Sequence, residues 1–330
     1  MRTLKFKGSA TLLLGTALAL ALAGCDKANE PGKPAPAEQT SATGYPAISI
    51  VHQLGTTTIT KLPQRVVAFD MGELDSLDQL GAPVVGVAKD YVVGFLSKYK
   101  DDPKVADVGA TVQPNLESLH KLKPDLILIS PLQAQSYAEL SEIAPTLHFD
   151  IDMTNKQGDV IAVAKEHLLT LGRIFNKEQL AQEKNAEIDA EIAQARKVTE
   201  GRPEKALLVL HNNGAFASYG VKSRYGFVFD TLGVKSASAD IETGVHGQPI
   251  SNEFIQQADP DIIYVIDRTA VMERRAPLNR ESLDNPLLRQ TKAWANNKVI
   301  FVDSDTWYLC TASPTCIKRI TAEVLQGYKQ

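Results

Sequence analysis

Several absences narrow the field first. Only three cysteines occur in 330 residues, too few for a fold stapled by several disulfides. No Gly-x-Ser-x-Gly elbow, Walker A loop, His-Glu-x-x-His pair or Gly-x-Gly-x-x-Gly turn is present, which argues against the hydrolases, nucleotide-binding proteins and zinc proteases built on them. Positive charge is not in excess: 35 Lys and Arg stand against 39 Asp and Glu, for a net charge of -4. Such a chain is not an evident binder of nucleic acid or anionic lipid, and if it takes up an anion the positive charge must be local. Beyond the first two dozen residues no run is long and apolar enough to span a bilayer.

What is present starts with a processing signal. Arg2, Lys5 and Lys7 precede an apolar run from Ala10 to Ala23, with the flanks and length of a signal peptide. Removal of residues 1–24 takes away those three cations and lowers the net charge to -7. The run ends in Leu22-Ala23-Gly24-Cys25, which resembles the lipobox of bacterial lipoproteins, where the cysteine is acylated and becomes the new N-terminus. A plain secretory signal with a chance cysteine is the alternative. Two or three acyl chains anchor stably where one does not. Asp26 resembles an inner-membrane retention signal, so the expected location is the periplasmic side of the inner membrane, lipid-anchored. Residues 27–44, rich in Pro, Ala and polar residues without periodicity, read as a flexible tether. If Cys25 carries lipid, Cys310 and Cys316 remain as a pair outside the cytoplasm. A disulfide suits the compartment and the Ser313-Pro314 turn between them; a soft metal pair or two buried thiols remain open.

The mature chain alternates short apolar strands with helices. Ala47–His52 and Thr57–Thr60 read as a hairpin; Arg65–Asp70, Pro83–Ala88 and Pro124–Ile129 as strands; Gly72–Leu80, Leu116–Leu122 and Ala134–Ile143 as helices. From Gln157 to Glu200 strand signal vanishes. A helical stripe (Val160, Val163, Ala164, His167, Leu168, Leu171) and a second helix over Glu178–Val198 lie at the middle of the mature chain, as a bridge would. The alternation then resumes with strands at Lys205–Leu210, Ala215–Tyr219, Pro260–Ile266 and Lys298–Val302, and helices at Tyr225–Leu232, Glu253–Ala258 and Thr315–Tyr328. The halves echo each other. Asn115–Ile129 (NLESLHKLKPDLILI) matches Ser251–Val265 (SNEFIQQADPDIIYV), and Leu77–Gly81 (LDQLG) matches Phe229–Gly233 (FDTLG). The expected fold is α/β: two similar lobes with mainly parallel sheets joined by a long bridging helix. Its divisions are a signal peptide over 1–24, a lipidated tether over 25–44, an N-terminal lobe over 45–155, a bridging helix over 156–176 and a C-terminal lobe over 177–330.

Between two such lobes lies a cleft, the usual place for a ligand. Arg224 stands just before a helix and Arg268 directly after a strand, where α/β folds present ligand contacts. Guanidinium keeps its charge and offers forked donors to oxyanions; a surface arginine, or one paired with Asp267, is the bland alternative. His246 lies between glycines in Thr-Gly-Val-His-Gly, suited to ligating a metal from a close-approaching loop, or simply exposed. Tyr308 beside Trp307 is either a core aromatic or a phenolate ligand. A phenol, ordinarily with a pKa of about 10, needs a strongly Lewis-acidic cation to ionise near neutrality. Fe(III), hard and oxygen-seeking, is such a cation.

Taken together, Arg65–Gly81 (RVVAFDMGELDSLDQLG), Leu122–Ile129 (LKPDLILI), Ser223–Gly226 (SRYG), Gly244–Asn252 (GVHGQPISN), Val265–Arg268 (VIDR) and Trp307–Leu309 (WYL) resemble the ferric-siderophore-binding lipoproteins of bacterial ABC importers, class III solute-binding proteins of the enterochelin- and petrobactin-binding type. The likeness spans the mature domain from about Ile48 onward. It implies a non-enzymatic, monomeric receptor that hands a ferric siderophore to a permease, binds no nucleic acid and holds Fe(III) only as part of the chelate. It implies that Arg224 and Arg268 surround an anionic catecholate complex, that His246 and Tyr308 complete iron coordination for a tetradentate ligand, and that Glu117 and Glu253, one per lobe, meet permease arginines. As ordinary acids at helix N-termini, the two glutamates also suit the helix dipole. Two departures stand out: Leu132 occupies the place of a third arginine, and Cys310–Cys316 replaces a glycine-rich turn. A receptor for a hydroxamate, citrate or corrinoid is the near alternative, and a thiol–disulfide enzyme the distant one.

Overall fold

Strands Val66–Ala68, Leu126–Ile129 and Ile262–Asp267 are buried at every position, as strands covered on both faces of a parallel sheet must be. The computed structural model describes residues 44–150, 160–238, 241, 247–310 and 312–329, all within one compact unit over Gln39–Gln330. Cys25 and His246 lie outside the described residues. A hairpin of β1 (Ile48–His52) and β2 (Gly55–Ile59) precedes the first lobe. That lobe's sheet joins β3 (Val66–Ala68), β4 (Val84–Val87), β5 (Ala106–Asp107), β6 (Leu126–Ile129) and β7 (Thr146–His148) in the order β5-β4-β3-β6-β7, all parallel.

The second lobe's sheet joins β8 (Lys205–Asn212), β9 (Ala215–Tyr219), β10 (Gln248–Ile250), β11 (Ile262–Asp267) and β12 (Val299–Phe301) in the order β10-β9-β8-β11-β12. Here β8, β11 and β12 are parallel, but β9 is antiparallel to both β8 and β10. The reason is local. Asn213 and Gly214 both take positive φ (49° and 81°), the two-residue turn that folds β8 back on itself.

Helices pack on both faces. α1 (Met71–Leu80) starts at Asp70, whose carboxylate accepts from the Gly72 N–H at 2.7 Å, and stops at Gly81 with φ 61°. α2 (Leu116–Leu122) leads into β6. The helix expected over Ala134–Ile143 is split. Ser130 and Gln133 form a capping box with Pro131 at the first position, which winds a 3₁₀ turn over Pro131–Ser136 before the α-helix Tyr137–Ile143.

α3 (Val160–Ile174) and α4 (Glu178–Thr199) connect the lobes. Val160, Ile161 and Ala164 sit in the second lobe's core, and Leu168, Leu171 and Ile174 in the first's. α4 retraces the path, with Ala181 in the first core and Ile188, Ile192 and Ala195 in the second. A Cβ on Gly172 would lie 2.7 Å from the Ala181 Cβ, so the reversal between the two helices is pressed too closely for a side chain. In the second lobe α5 (Gly226–Asp230) is shorter than the stretch expected over Tyr225–Leu232, and α6 (Asn252–Ala258), α7 (Arg268–Glu273), α8 (Ser304–Leu309) and α9 (Pro314–Gln326) follow, with two four-residue helices between α7 and α8.

Candidate functional site

Three of the expected residues meet. Arg268 is the first residue of α7, placed there by β11 and by Asp267, whose side chain caps the helix by accepting from the Ala270 N–H. Tyr308 is the fifth residue of the six-residue α8, whose front end Asp303 caps through the Thr306 N–H and hydroxyl. Arg224 lies in the turn before α5 and is 9% exposed. The Arg268 Nε donates to the Tyr308 hydroxyl at 2.7 Å, and an Arg224 terminal nitrogen donates to the Tyr308 carbonyl at 2.9 Å. The two guanidinium carbons stand 5.3 Å and 5.5 Å from the centre of the Tyr308 ring, within cation–π range.

Rigid neighbours fix this group. Arg224 also stands 5.0 Å over the Tyr225 ring; Tyr225 is fully buried, donates to the Trp307 carbonyl and packs against Trp307, which stacks on Tyr264. The Trp307 indole N–H donates to Glu323 of α9 at 2.6 Å. Asn212, at the end of β8, accepts from Arg268 at 3.0 Å. Asp267 does not neutralise its neighbour Arg268. Burial works against its charge, but bonds from His211 (2.9 Å) and the Leu278 and Ala270 N–H groups outweigh burial and hold the carboxyl below its ordinary range. Arg268 keeps only neutral oxygens as partners among the described residues. The positive field reaches Tyr219 as well: burial raises its phenol, while Arg224 and Arg268 pull it the other way. Asn212, His211 and Tyr219 are supports that the sequence reading did not single out; only their places at strand ends could have signalled them.

The corresponding strand end in the first lobe differs. β6 runs into Ser130, Pro131 and Leu132, and Leu132 is 58% exposed. One contact between the lobes joins the segment after β4 to the end of α7. Arg274, just past α7, donates to the Asp90 carbonyl at 2.8 Å, stands 4.9 Å over the Tyr91 ring and pairs with Asp305 at 3.3 Å. Glu117 and Glu253 are both exposed, in the first turns of α2 and α6, and each follows a side-chain cap, Asn115 or Ser251. Cys310 and Cys316 form a disulfide with Cα atoms 6.0 Å apart, at 2% and 0% exposure. A buried disulfide is poorly placed for exchange with an outside thiol. A separate hollow of about 420 Å³ is lined in part by His52, His148, His167, Asp150 and Arg173. Neither there nor elsewhere among the described residues does a group of three His, Cys, Asp or Glu stand ready to hold a metal ion.

Known proteins share this architecture. A family profile described as periplasmic binding protein matches residues 66–306. The ferric-anguibactin-binding protein FatB of Vibrio anguillarum is 56% identical over 282 residues, covering 86% of this chain and 88% of that protein. The petrobactin-binding protein YclQ of Bacillus subtilis is 35% identical over 329 residues, covering 98% of this chain and 100% of its own. Among solved structures, the siderophore-binding protein BauB, bound to a complex between two molecules of acinetobactin and ferric iron, superposes with a TM-score of 0.81 at 55% identity, over 86% of this chain and 99% of that one.

Proposed function

The chain belongs to the periplasmic binding protein family, and from that premise we propose that it captures a ferric siderophore of catecholate type and delivers it to an ABC permease. The observation that carries the reading is the convergence of Arg224 and Arg268 on Tyr308. Charge-assisted hydrogen bonds from the guanidinium groups hold the catecholate oxygens. When the siderophore fills only four iron positions, the Tyr308 phenolate takes one of the two left open, as hard Fe(III) favours, and His246 takes the other. Iron arrives as part of the cargo; binding, with no covalent chemistry, is the activity of the family.

Leu132 gives the reading a preference. A hexadentate triscatecholate carries more negative charge and leaves no iron position open, whereas a tetradentate chelate of lower charge uses both the arginines and the phenol. Outside the site, Cys25 carries the lipid that tethers the protein to the periplasmic face of the inner membrane, and the exposed Glu117 and Glu253 dock it, as a monomer, on the permease. Mass spectrometry of the N-terminal peptide, finding acyl chains on Cys25 or a free thiol, decides the anchor. The iron site is tested by the visible spectrum with a ferric tetradentate bis-catecholate. The wild type shows a tyrosinate-to-iron charge-transfer contribution that Tyr308→Phe loses, and an unchanged spectrum and affinity in that variant would falsify direct coordination.

A further inference from the structure

Tyr308 sits near the end of a helix too short to hold itself: six residues make barely one hydrogen-bonded turn beyond nucleation. Its front is secured within the second lobe by Asp303, by burial of Trp307 and by the indole bond to Glu323. Its back is secured elsewhere. Immediately after Leu309 the chain reaches the boundary with the other lobe: Cys310 and Cys316 pack into the first lobe's apolar core with Met71 and Leu74 of α1, while Ala312 between them packs into the second's. The Cys310 sulfur lies 3.7 Å from the Met71 carbonyl and 3.2 Å from the Ser313 hydroxyl.

There the segment meets Asp75, a carboxylate of α1 with no exposure. One Asp75 oxygen accepts from the Ser313 hydroxyl at 2.6 Å and from the Thr315 N–H at 2.7 Å. Thr315 is the second residue of α9, and Ser313, at the cap position of α9, makes no side-chain cap bond of its own. A carboxylate from the first lobe therefore supplies the N-terminal cap that this helix of the second lobe lacks. The other Asp75 oxygen is buried without a hydrogen-bond partner, and no cation pairs with the group among the described residues. Burying an acid so incompletely satisfied is costly, so its position is hard to ascribe to packing alone. The Gln79 amide adds a bond from the same helix face to the Thr315 hydroxyl at 3.1 Å.

We propose that the Cys310–Cys316 disulfide and Asp75 together form a brace across the lobes that positions Tyr308, and through its carbonyl Arg224, for the ligand. They are positioning residues, touching neither iron nor chelate, and the inference rests on the siderophore reading of the site. The brace places the ligand-bearing end of α8 under the control of the first lobe, although all the groups that would touch the ligand there belong to the second.

Hydrogen exchange on the unliganded protein, together with titration by a ferric tetradentate bis-catecholate, tests this. Asp75→Asn, which keeps the shape of the side chain, and the double variant Cys310→Ala/Cys316→Ala should each lower amide protection over Ser304–Leu309 by about tenfold or more. Each should weaken binding by a similar factor of about ten and diminish the visible band assigned to Tyr308. Thermal unfolding monitors whether the cysteine variant folds; should it not, Asp75→Asn alone decides. Protection and affinity equal to the wild type in Asp75→Asn overturn the brace. Tyr308→Phe separates the two ideas: it should keep the protection of α8 while losing the band. If it keeps the band, coordination by Tyr308 is wrong, and the brace then stands or falls on the exchange result.

Discussion

β6 of the first lobe and β11 of the second occupy the same place in their sheets, each between a central parallel strand (β3 or β8) and an outer one (β7 or β12). Each is preceded by a seven-residue helix with a side-chain cap and a glutamate in its first turn. The strands then run into opposite chemistry. β6 leads to Ser130, Pro131 and an exposed Leu132; β11 leads to Asp267, committed to His211, and to Arg268, aimed at Tyr308. One scaffold, used twice, thus supplies an uncharged wall and a charged one. The repeat secures the framework, while a few residues just past the strand ends decide what each half can bind.

The largest effect should come from breaking the charged wall. Arg268→Ala is expected to weaken binding of an anionic ferric chelate by about 2–4 kcal/mol, roughly 30- to 1000-fold in Kd, because the loss leaves ligand charge and the Tyr308 hydroxyl without their donor. Leu132→Ala, at the equivalent place in the first lobe, should change the same titration little. Equal losses in the two variants would contradict the division of labour.

Acid should separate the lobes next. His167, on the first-lobe half of α3, is pushed down to about 4 by burial and by His148. Below about 6.5 the unfolded chain takes up this proton before the folded one does, so stability falls as pH drops from about 6.5 to about 4, by up to roughly 3 kcal/mol. Glu73, 3.9 Å from His167, opposes the trend: burial and Asp70 raise its carboxyl, so it is protonated earlier in the fold than in the unfolded chain. Comparing His167→Gln with the wild type isolates the histidine, and denaturant unfolding at pH 4 to 7 should show a flatter dependence in the variant. Asp267 in the second lobe behaves in the contrary sense to a raised acid. Its depressed carboxyl contributes stability above the ordinary carboxylate range that is lost only as pH falls through its lower folded value. The smallest effect on binding belongs to Glu117→Gln/Glu253→Gln, which should bind the chelate within about twofold of wild type, as exposed surface changes do, yet deliver less of it to a reconstituted importer. Normal delivery would remove these two from the docking surface.

Much of this was legible in the chain. Strands such as Leu126–Ile129 and Ile262–Ile266 announce themselves by uninterrupted apolar residues, and the echo between Asn115–Ile129 and Ser251–Val265 foretells the second lobe. Arg268 becomes a candidate because it follows such a strand, and Tyr308 because it stands in a recognisable Trp-Tyr-Leu run. Other parts were not legible, for physical reasons. The reversal of β9 rests on one Asn-Gly turn inside an otherwise α/β pattern. Asp75 reads as an ordinary polar position of α1, yet it meets residues 238 and 240 positions away; no local period encodes such a contact. The place of Tyr308 between two guanidinium groups is likewise a product of tertiary packing that brings together positions 224, 268 and 308.

The proposed cleft sets a charged, phenol-bearing wall against an uncharged one. It is tested most directly by titrating the wild type, under one set of conditions, with a ferric tetradentate bis-catecholate and a ferric hexadentate triscatecholate. The tetradentate complex should bind at least about tenfold more tightly, since it gains a bond to Tyr308 and carries less charge for Arg224 and Arg268 to offset. Equal or tighter binding of the triscatecholate would contradict the account.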